Sequence, residues 1–481
     1  MAYKHGVYTS EIPTSIVPPV ETTAGLPVIF GTAPLHLATD PAEANRPVLC
    51  YTYAEAVAAF GYSDDWKSYT LCEVIYSQFA LYNRAPVVLV NVLDPATHKK
   101  TTTEAELTLS NGSASISAPA MPSTLVVKSA AAGQPLVKGT DYEAEHDDDG
   151  NLVITVLADG ALKSASKIYV SYDAVDASAV DADDIIGGVD ADTGTLKGLE
   201  CLSEVYALTG LVPGIVLAPG WSDNSEVAAI MATKAASINN LFSAIALVDC
   251  DSKTVTKYTD VPAWKNKNNY TNKYQVALWP CVKLGEKVYH MSTAALGVMA
   301  TVDSNNDDVP YASPSNNTLE GDGLCLEDGT EVVMTHEQAV YLNGQGIVTG
   351  LNFVGGLKLF GNNMACYPSN TDPKDRFIPV RRMFNWQQQT FILTYWQKLD
   401  NPMNKRLIQT CIDSENIRLN GLTSAGYILG GRMEFQEAEN ATTDLLNGKI
   451  TFHTYITPPV PAKEIENKFE YDPDYFKTLF A

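Results

Sequence analysis

Seven histidines and eight cysteines are the side chains of this 481-residue sequence best suited to holding a metal or attacking a substrate. The histidines (His5, His36, His98, His146, His290, His336, His453) never fall at the i, i+4 spacing that puts two imidazoles on one helix face, so no His-based zinc motif forms. The cysteines (Cys50, Cys72, Cys201, Cys250, Cys281, Cys325, Cys366, Cys411) contain no C-x-x-C pair. Most sit in apolar runs such as Ala246-Leu247-Val248-Asp249-Cys250 and read as small, reduced core hydrophobes. A glycine-rich phosphate cradle is absent, and Gly344-x-Gly346-x-x-x-Gly350 has the wrong spacing for a dinucleotide fingerprint. There is no Gly-x-Ser-x-Gly elbow, and Ser313 and Ser315, in Tyr311-Ala312-Ser313-Pro314-Ser315-Asn316, read as turn residues. Members of a Ser-His-Asp triad need not be close in the chain, so a hydrolase with an unrecognised serine site stands as an alternative. The acidic stretch Asp173 to Asp192 does not match the spaced calcium loop and reads as a solvated linker. No catalytic residue, metal ligand or cofactor is assigned, and the expected role is not that of an enzyme.

Two other groups invite contact chemistry. Arg381-Arg382 reads either as a docking contact for an acidic partner or as the solvated start of a helix. Tyr471, Tyr475 and Phe476, near the end, read either as aromatics offered to a neighbouring subunit, which the arm context favours, or as side chains folded back on their own domain. The formal net charge of -23 excludes a nucleic-acid partner, because phosphate contacts need clustered Lys and Arg. The opening MAYKHGVYTSEIPTS lacks the basic and apolar regions of a signal peptide, so synthesis in a cytosol is expected. No apolar run approaches the roughly 20 residues of a membrane span.

The elements that carry these residues are a mixture of α/β and α+β. At 481 residues, three or more domains are expected. Leu26 to Ala33 reads as a buried strand, Thr52 to Phe60 as a helix stopped by Gly61, and Trp66 to Tyr82 as a longer amphipathic helix. Val87 to Val92 is a continuous apolar strand of the kind buried on both faces. From about residue 99 the texture turns to alternating Thr, Ser and Ala, with Asp149-Gly150 as a hairpin signal, and a small all-β sandwich inserted at 99–190 is predicted. The α/β pattern then resumes: strand Val212 to Ala218, helix Glu226 to Ile238, and strands Ser243 to Asp249 and Tyr274 to Trp279. Asp303 to Asn317 reads as loop and Glu337 to Leu342 as the start of a helix. The domain from 366 to 457 is predicted as α+β, with a long helix running on from Arg381-Arg382, a helical stretch from Lys405 to Gly421, and strands Gly426 to Glu437 and Lys449 to Thr457.

Both ends read as extended arms. Gly6-Val7-Tyr8-Thr9-Ser10-Glu11-Ile12 alternates apolar and polar before Pro13, Pro18 and Pro19. Lys449 to Thr457 alternates again before Pro458, Pro459 and Pro461, and Glu464 to Phe469 follows. A lone strand is marginal in water and must add to a sheet, so the arms predict strand addition to neighbouring copies. The residues assigned to this are Gly6, Val7, Tyr8, Ile12, Phe452, Tyr455, Ile465 and Phe469.

Several blocks resemble one family. They are His5 to Pro13 (HGVYTSEIP), Leu26 to Pro34 (LPVIFGTAP), Tyr53-Ala54-Glu55 with Phe60-Gly61, and Ala339 to Ile347 (AVYLNGQGI). Phe377 to Phe384 (FIPVRRMF) and Gly448 to Thr457 with Pro461 to Ile465 complete the set. In this order they resemble the tail sheath proteins of contractile phage tails, phage-tail-like bacteriocins and contractile injection systems. The resemblance implies a mixed α/β core of subtilisin-like topology without catalysis, assembled from 23–98 and 191–365. It also implies a decorating insertion at 99–190, an inward α+β domain at 366–457 facing a tail tube, and arms at 1–22 and 458–481 that join neighbouring subunits. On that reading hexameric rings stack around a tube, contract by rigid-body movement and drive the tube through a cell envelope, with baseplate and tail terminator proteins as further partners. Arg381 and Arg382 become the tube-contact candidates. Assembly in a host cytoplasm into a virion or an extracellular particle is implied. A surface-layer or adhesin-type protein is the other alternative, suggested by the β insertion and opposed by the missing signal peptide.

Overall fold

The computed structural model describes residues 20–21, 25–147 and 149–480. The expected N-terminal arm residues Gly6, Val7, Tyr8 and Ile12 lie outside the described residues. The chain divides into two compact units, one running up to Lys234 and including Ser292–Asp308, the other made of Ala235–Met291 and the residues from Val309 onward.

In the first unit, strands lie in the order Pro213–Leu217, Leu26–Gly31, Val87–Asn91 and Val48–Cys50, parallel except for the last. Leu26–Gly31 and Val87–Asn91 are buried throughout, as their unbroken apolar runs require of strands covered on both faces. Tyr53–Phe60 is helical, capped by the Thr52 hydroxyl, which accepts from the Glu55 N–H, and stopped at Gly61 with φ +74°. The expected helix from 66 to 82 is shorter and changes character. It begins at Thr70, whose N–H is taken by the Thr32 hydroxyl, and from Tyr76 to Leu81 it widens into a π-helix ending in a Tyr82-to-Ser77 bond. Tyr82 packs against Gly297, where a Cβ would stand only 2.2 Å from the tyrosine ring. The helix that holds Gly297, Met291–Ser304, was not anticipated. It is apolar and small-residued all round, and buried nearly all round, so it shows no amphipathic period.

The insertion is β-sandwich-like, as its alternation predicts. One three-stranded antiparallel sheet holds Ser113–Ile116, Leu152–Val156 and Tyr142–His146; the other holds Lys99–Thr108, Lys167–Val175 and Val126–Lys128. Val127, Leu152, Ile154, Ile168 and Val170 fill the space between them. Between Lys99–Thr108 and Ser113–Ile116 stand Asn111 and Gly112, both at positive φ, which send the chain from one sheet to the other. The acidic stretch that follows is not a solvated linker. Asp176 and Asp181 each cap a short helix, Asp181 with a full capping box, and the Thr193 backbone and hydroxyl donors bring the Asp190 carboxyl down to about 2. Short acidic side chains are being used as backbone partners.

In the second unit, Ile245–Asp249, Gln275–Leu278 and Ile347–Phe353 run parallel, and Gly356–Phe360 folds back antiparallel on the last. A four-stranded antiparallel sheet, Lys287–Tyr289, Cys281–Leu284, Gly323–Cys325 and Glu331–Val332, lies in the same unit. His336–Gly344 is a helix with a Thr335–Gln338 capping box. The C-terminal domain consists of the helices Ile378–Tyr395 and Lys405–Ser424 and an antiparallel hairpin, Gly430–Glu434 with His453–Thr457. Met383, Leu419 and Ile428, with Val309, form its small apolar core. From Ala462 to Leu479 the chain is exposed, without regular secondary structure to Asp472 and then coiled into the 3-10 segment Pro473–Phe480.

Candidate subunit interface

The residues singled out for chemistry are occupied by structural tasks. All eight cysteines are free and buried, and burial pushes the Cys50 thiol up to about 12, far from the range of a reactive thiolate. The Ser313 hydroxyl donates to the Asn362 side chain, and Ser315 Oγ accepts the Gly361 N–H at 3.0 Å, so both tie a turn. Among the described residues, no group of three or more His, Cys, Asp or Glu side chains gathers as for a metal, and no helix is long and apolar enough to cross a membrane.

Arg381 and Arg382 require a correction. They are 3% and 4% exposed, neither a solvated helix start nor an offered docking patch. Arg381 donates to Asp375 at 3.2 Å and to Asn385 at 3.1 Å, and its guanidinium lies 5.3 Å from the Tyr274 ring. Desolvating that ion pair is tolerable only because each partner is held by further donors and acceptors; Lys374 reaches the same Asp375 carboxylate at 2.7 Å. The two helices of the domain are joined by a second buried charge. Glu415, with no exposure at all, accepts from Gln387 at 2.6 Å, Arg418 at 2.7 Å and the Tyr395 hydroxyl at 3.2 Å. The adjoining Glu415 carboxylate and burial together push the Tyr395 phenol up, burial being the larger effect.

Lys449 to Thr457 also requires a correction. It is not a solitary strand: His453–Thr457 pairs in register with Gly430–Glu434, while Phe452 precedes the strand and meets Phe435 edge-on. Tyr455 stacks on His453, lies under Arg432 and accepts the Gln436 amide. Within the hairpin one edge is closed. The Met433 N–H donates to Asn416 Oδ1 at 2.7 Å, and the Met433 carbonyl accepts Asn416 Nδ2 at 3.0 Å. Both backbone groups of Met433 therefore point away from its partner strand, so the Met433–Thr454 pair is of the non-hydrogen-bonded kind. Thr454 and, two residues on, Ile456 must then turn their own N–H and carbonyl groups to the opposite, outer edge. The sheet has two strands, so among the described residues no third strand covers that edge.

Beside this edge lies a groove of about 500 Å³, its apolar lining Leu241, Phe391, Ile392, Ile450 and Phe452 interleaved with Gln387, Gln388, Thr451 and Thr454. Beyond it the chain leaves through Pro458, Pro459 and Pro461 into the exposed segment, where Ile465 is 87% and Phe469 91% exposed. An apolar groove, an unpaired strand edge and an unpartnered apolar tail thus belong to one domain. Such features mark a surface completed by other molecules.

Over 491 aligned positions, covering 99% of this chain and 98% of the other, the sequence is 28% identical to the tail sheath protein of Burkholderia phage BcepMu. The chain is a tail sheath protein homologue. No family model matches this tail sheath homologue. Its fold is shared with a chain of the anti-feeding prophage baseplate, at a TM-score of 0.59 and 14% identity over 98% of this chain and all of that one. It is likewise shared with the sheath of an extracellular contractile injection system, PVC, in the contracted state, at a TM-score of 0.58 and 14% identity over 98% of this chain and 99% of that one. At such identities the likeness is one of fold, a mixed α/β multidomain chain with several sheets.

Proposed function

We propose that this contractile tail sheath subunit polymerises as stacked hexameric rings around a tail tube and contracts to drive the tube through a target envelope. Each arm adds a strand to the hairpin of a neighbouring copy. Two observations carry the reading together: the open outer edge of His453–Thr457 beside an exposed arm, in a chain that aligns over nearly its whole length with a tail sheath protein. Backbone hydrogen bonds across that edge hold without regard to side-chain identity, so neighbours stay joined while the bodies of the subunits move. The energy of contraction comes from better packing between subunits, with no nucleotide and no catalytic site involved. A subtilisin-like arrangement of the α/β strands belongs to the same reading and serves as scaffold only.

The tube is met by the C-terminal domain, and not through Arg381 and Arg382, whose side chains are buried in that domain. The exposed apolar run Leu393, Trp396 and Leu399, at the far end of the Ile378–Tyr395 helix, is the better candidate. The insertion lies outward, and baseplate and terminator proteins meet the ends of the polymer. Assembly takes place in the host cytoplasm, and the finished particle is a virion tail or an extracellular injection device.

Negative-stain microscopy of the overexpressed chain, alone and with its tube protein, tests this. Regular tubes of stacked rings are expected in at least one of the two samples. A full-length chain that stays monomeric in both would overturn the proposal.

A further inference from the structure

Residues 471–480 carry more apolar surface than an added strand needs. Glu464 to Phe469 suffices for the strand, with Ile465 and Phe469 on one face and Glu464, Glu466 and Lys468 on the other. Tyr471, Tyr475, Phe476 and Leu479 follow, all exposed, and the Phe476 ring lies 6.3 Å from that of Tyr471 in the same segment. Large apolar side chains grouped in this way mark a contact surface.

The groove beside the hairpin has the complementary character. Phe391, Ile392, Ile450 and Phe452 line it together with Gln387, Gln388 and Thr451, and Thr454 belongs both to the groove and to the open strand edge. An extended segment that adds antiparallel to His453–Thr457 runs toward residue 453, so its C-terminal end arrives at the groove. Two residues beyond Phe469 advance the chain by about 7 Å. Tyr471 and the turn after it then continue past residue 453 toward Phe452 and Phe391.

The chain cannot readily serve its own groove. Its segment leaves His453–Thr457 in the opposite sense, and Pro458, Pro459 and Pro461 fix φ in the extended range just where a tight reversal would be needed. In the single chain the segment stands away from the groove, exposed from Ala462 onward. We propose that the terminal aromatic turn of one subunit, Tyr471, Tyr475, Phe476 and Leu479, seats in the Phe391–Phe452 groove of a second copy and locks the strand that the same arm adds to the hairpin edge. This rests on the reading that the arm crosses to a neighbour by strand addition, and it names what anchors the arm once it has crossed.

Cysteine pairs on separate full-length chains test the two claims apart, using a short bis-maleimide on assembled particles; the eight native cysteines are buried. Mixed Phe476→Cys and Phe391→Cys chains are expected to give intermolecular cross-links, as are mixed Ile465→Cys and Thr454→Cys chains. If only the Ile465–Thr454 pair links, strand addition stands and the aromatic anchor is wrong. If neither pair links in assembled particles, strand addition itself fails. Links that form within one chain, in a double-cysteine monomer, also overturn the anchor, as does linkage of Phe391→Cys to the tube protein alone. A Tyr475→Ser/Phe476→Ser chain should need about tenfold more protein to assemble, the loss expected for a central aromatic contact, with unchanged melting of the unassembled chain. Combining it with Phe391→Ser should add little, since both remove one contact.

Discussion

The insertion and the C-terminal domain place their hydrocarbon and their charge in opposite ways. The insertion buries Val127, Leu152, Ile154, Ile168 and Val170 between two sheets and keeps its ion pairs, such as Lys167–Glu106, at the surface. The C-terminal domain buries Arg381, Gln387 and Glu415 and leaves Trp396, Ile417, Leu446, Ile465 and Phe469 outside. An apolar interior is sufficient for a domain that stands on its own. A domain with charge inside and hydrocarbon outside is held in one shape by its polar network while its apolar surface waits for partners. The contrast separates a domain closed around an apolar interior from one that leaves large apolar side chains at its surface.

The sharpest way to break that contrast is to remove the waiting surface. Deleting residues 464–481 should abolish polymerisation in sedimentation and microscopy and leave the melting temperature of the monomer nearly unchanged. Tubes of normal length from the truncated chain would show the arm to be dispensable. Next in size is the polar network: Glu415→Ala leaves Arg418, Gln387 and Tyr395 facing an unfilled site and should destabilise the C-terminal domain by about 3–5 kcal/mol in denaturant unfolding. In the insertion the equivalent blow is to hydrocarbon. Leu152→Ala should lower stability by about 2–5 kcal/mol, with assembly at low temperature intact because nothing waiting for a partner is touched.

A pH titration sharpens the comparison further, since the insertion's seat on its own unit carries histidine. The His36 ring is buried 5.6 Å from His146 and 6.0 Å from Tyr69, and desolvation first, then the charge of His146, lowers its pKa from 6.5 to about 4. On His146 itself desolvation lowers the pKa, while the backbone of Ala120 and then the neighbouring Asp147 carboxylate raise it. The unfolded chain binds the proton more readily, so the stabilising effect of neutral His36 is fully present above about pH 6.5 and is lost as pH falls toward 4. Its size is about 3 kcal/mol, and His36→Gln should flatten that part of the stability–pH curve. The smallest effect belongs to the hairpin. Asn416→Ala should lower stability by about 1–3 kcal/mol by leaving both backbone groups of Met433 unpaired.

Particular residues show how far the sequence could be read. Leu26–Gly31 and Val87–Asn91 were legible because a strand buried on both faces admits little but apolar residues. The insertion was legible because half-buried strands alternate. The helix Met291–Ser304 was not, since burial nearly all round removes the periodicity that betrays a helix. The acidic stretch misled for a different reason. Charge density suggested solvent, whereas Asp176, Asp181, Asp184 and Asp190 accept from nearby backbone N–H groups. Arg381 and Arg382 misled because a charged pair at a helix start looks solvated until Asp375, six residues before Arg381, is seen to fold against it.

The sequence by itself carried the expectation of an arm: the proline run Pro458, Pro459 and Pro461, followed by the alternating segment Glu464 to Phe469. It determined as well, through ordered blocks spread along the chain, the resemblance to tail sheath proteins that the end-to-end match to a phage tail sheath protein bears out. Which edge stands open for an arm was decided only by the tertiary structure. Asn416 lies on a helix 17 residues before Met433, and its amide closes one side of the hairpin. Strand parity then turns the backbone of Thr454 and Ile456 outward. Parity is a property of a pairing, and no residue of either strand carries it alone.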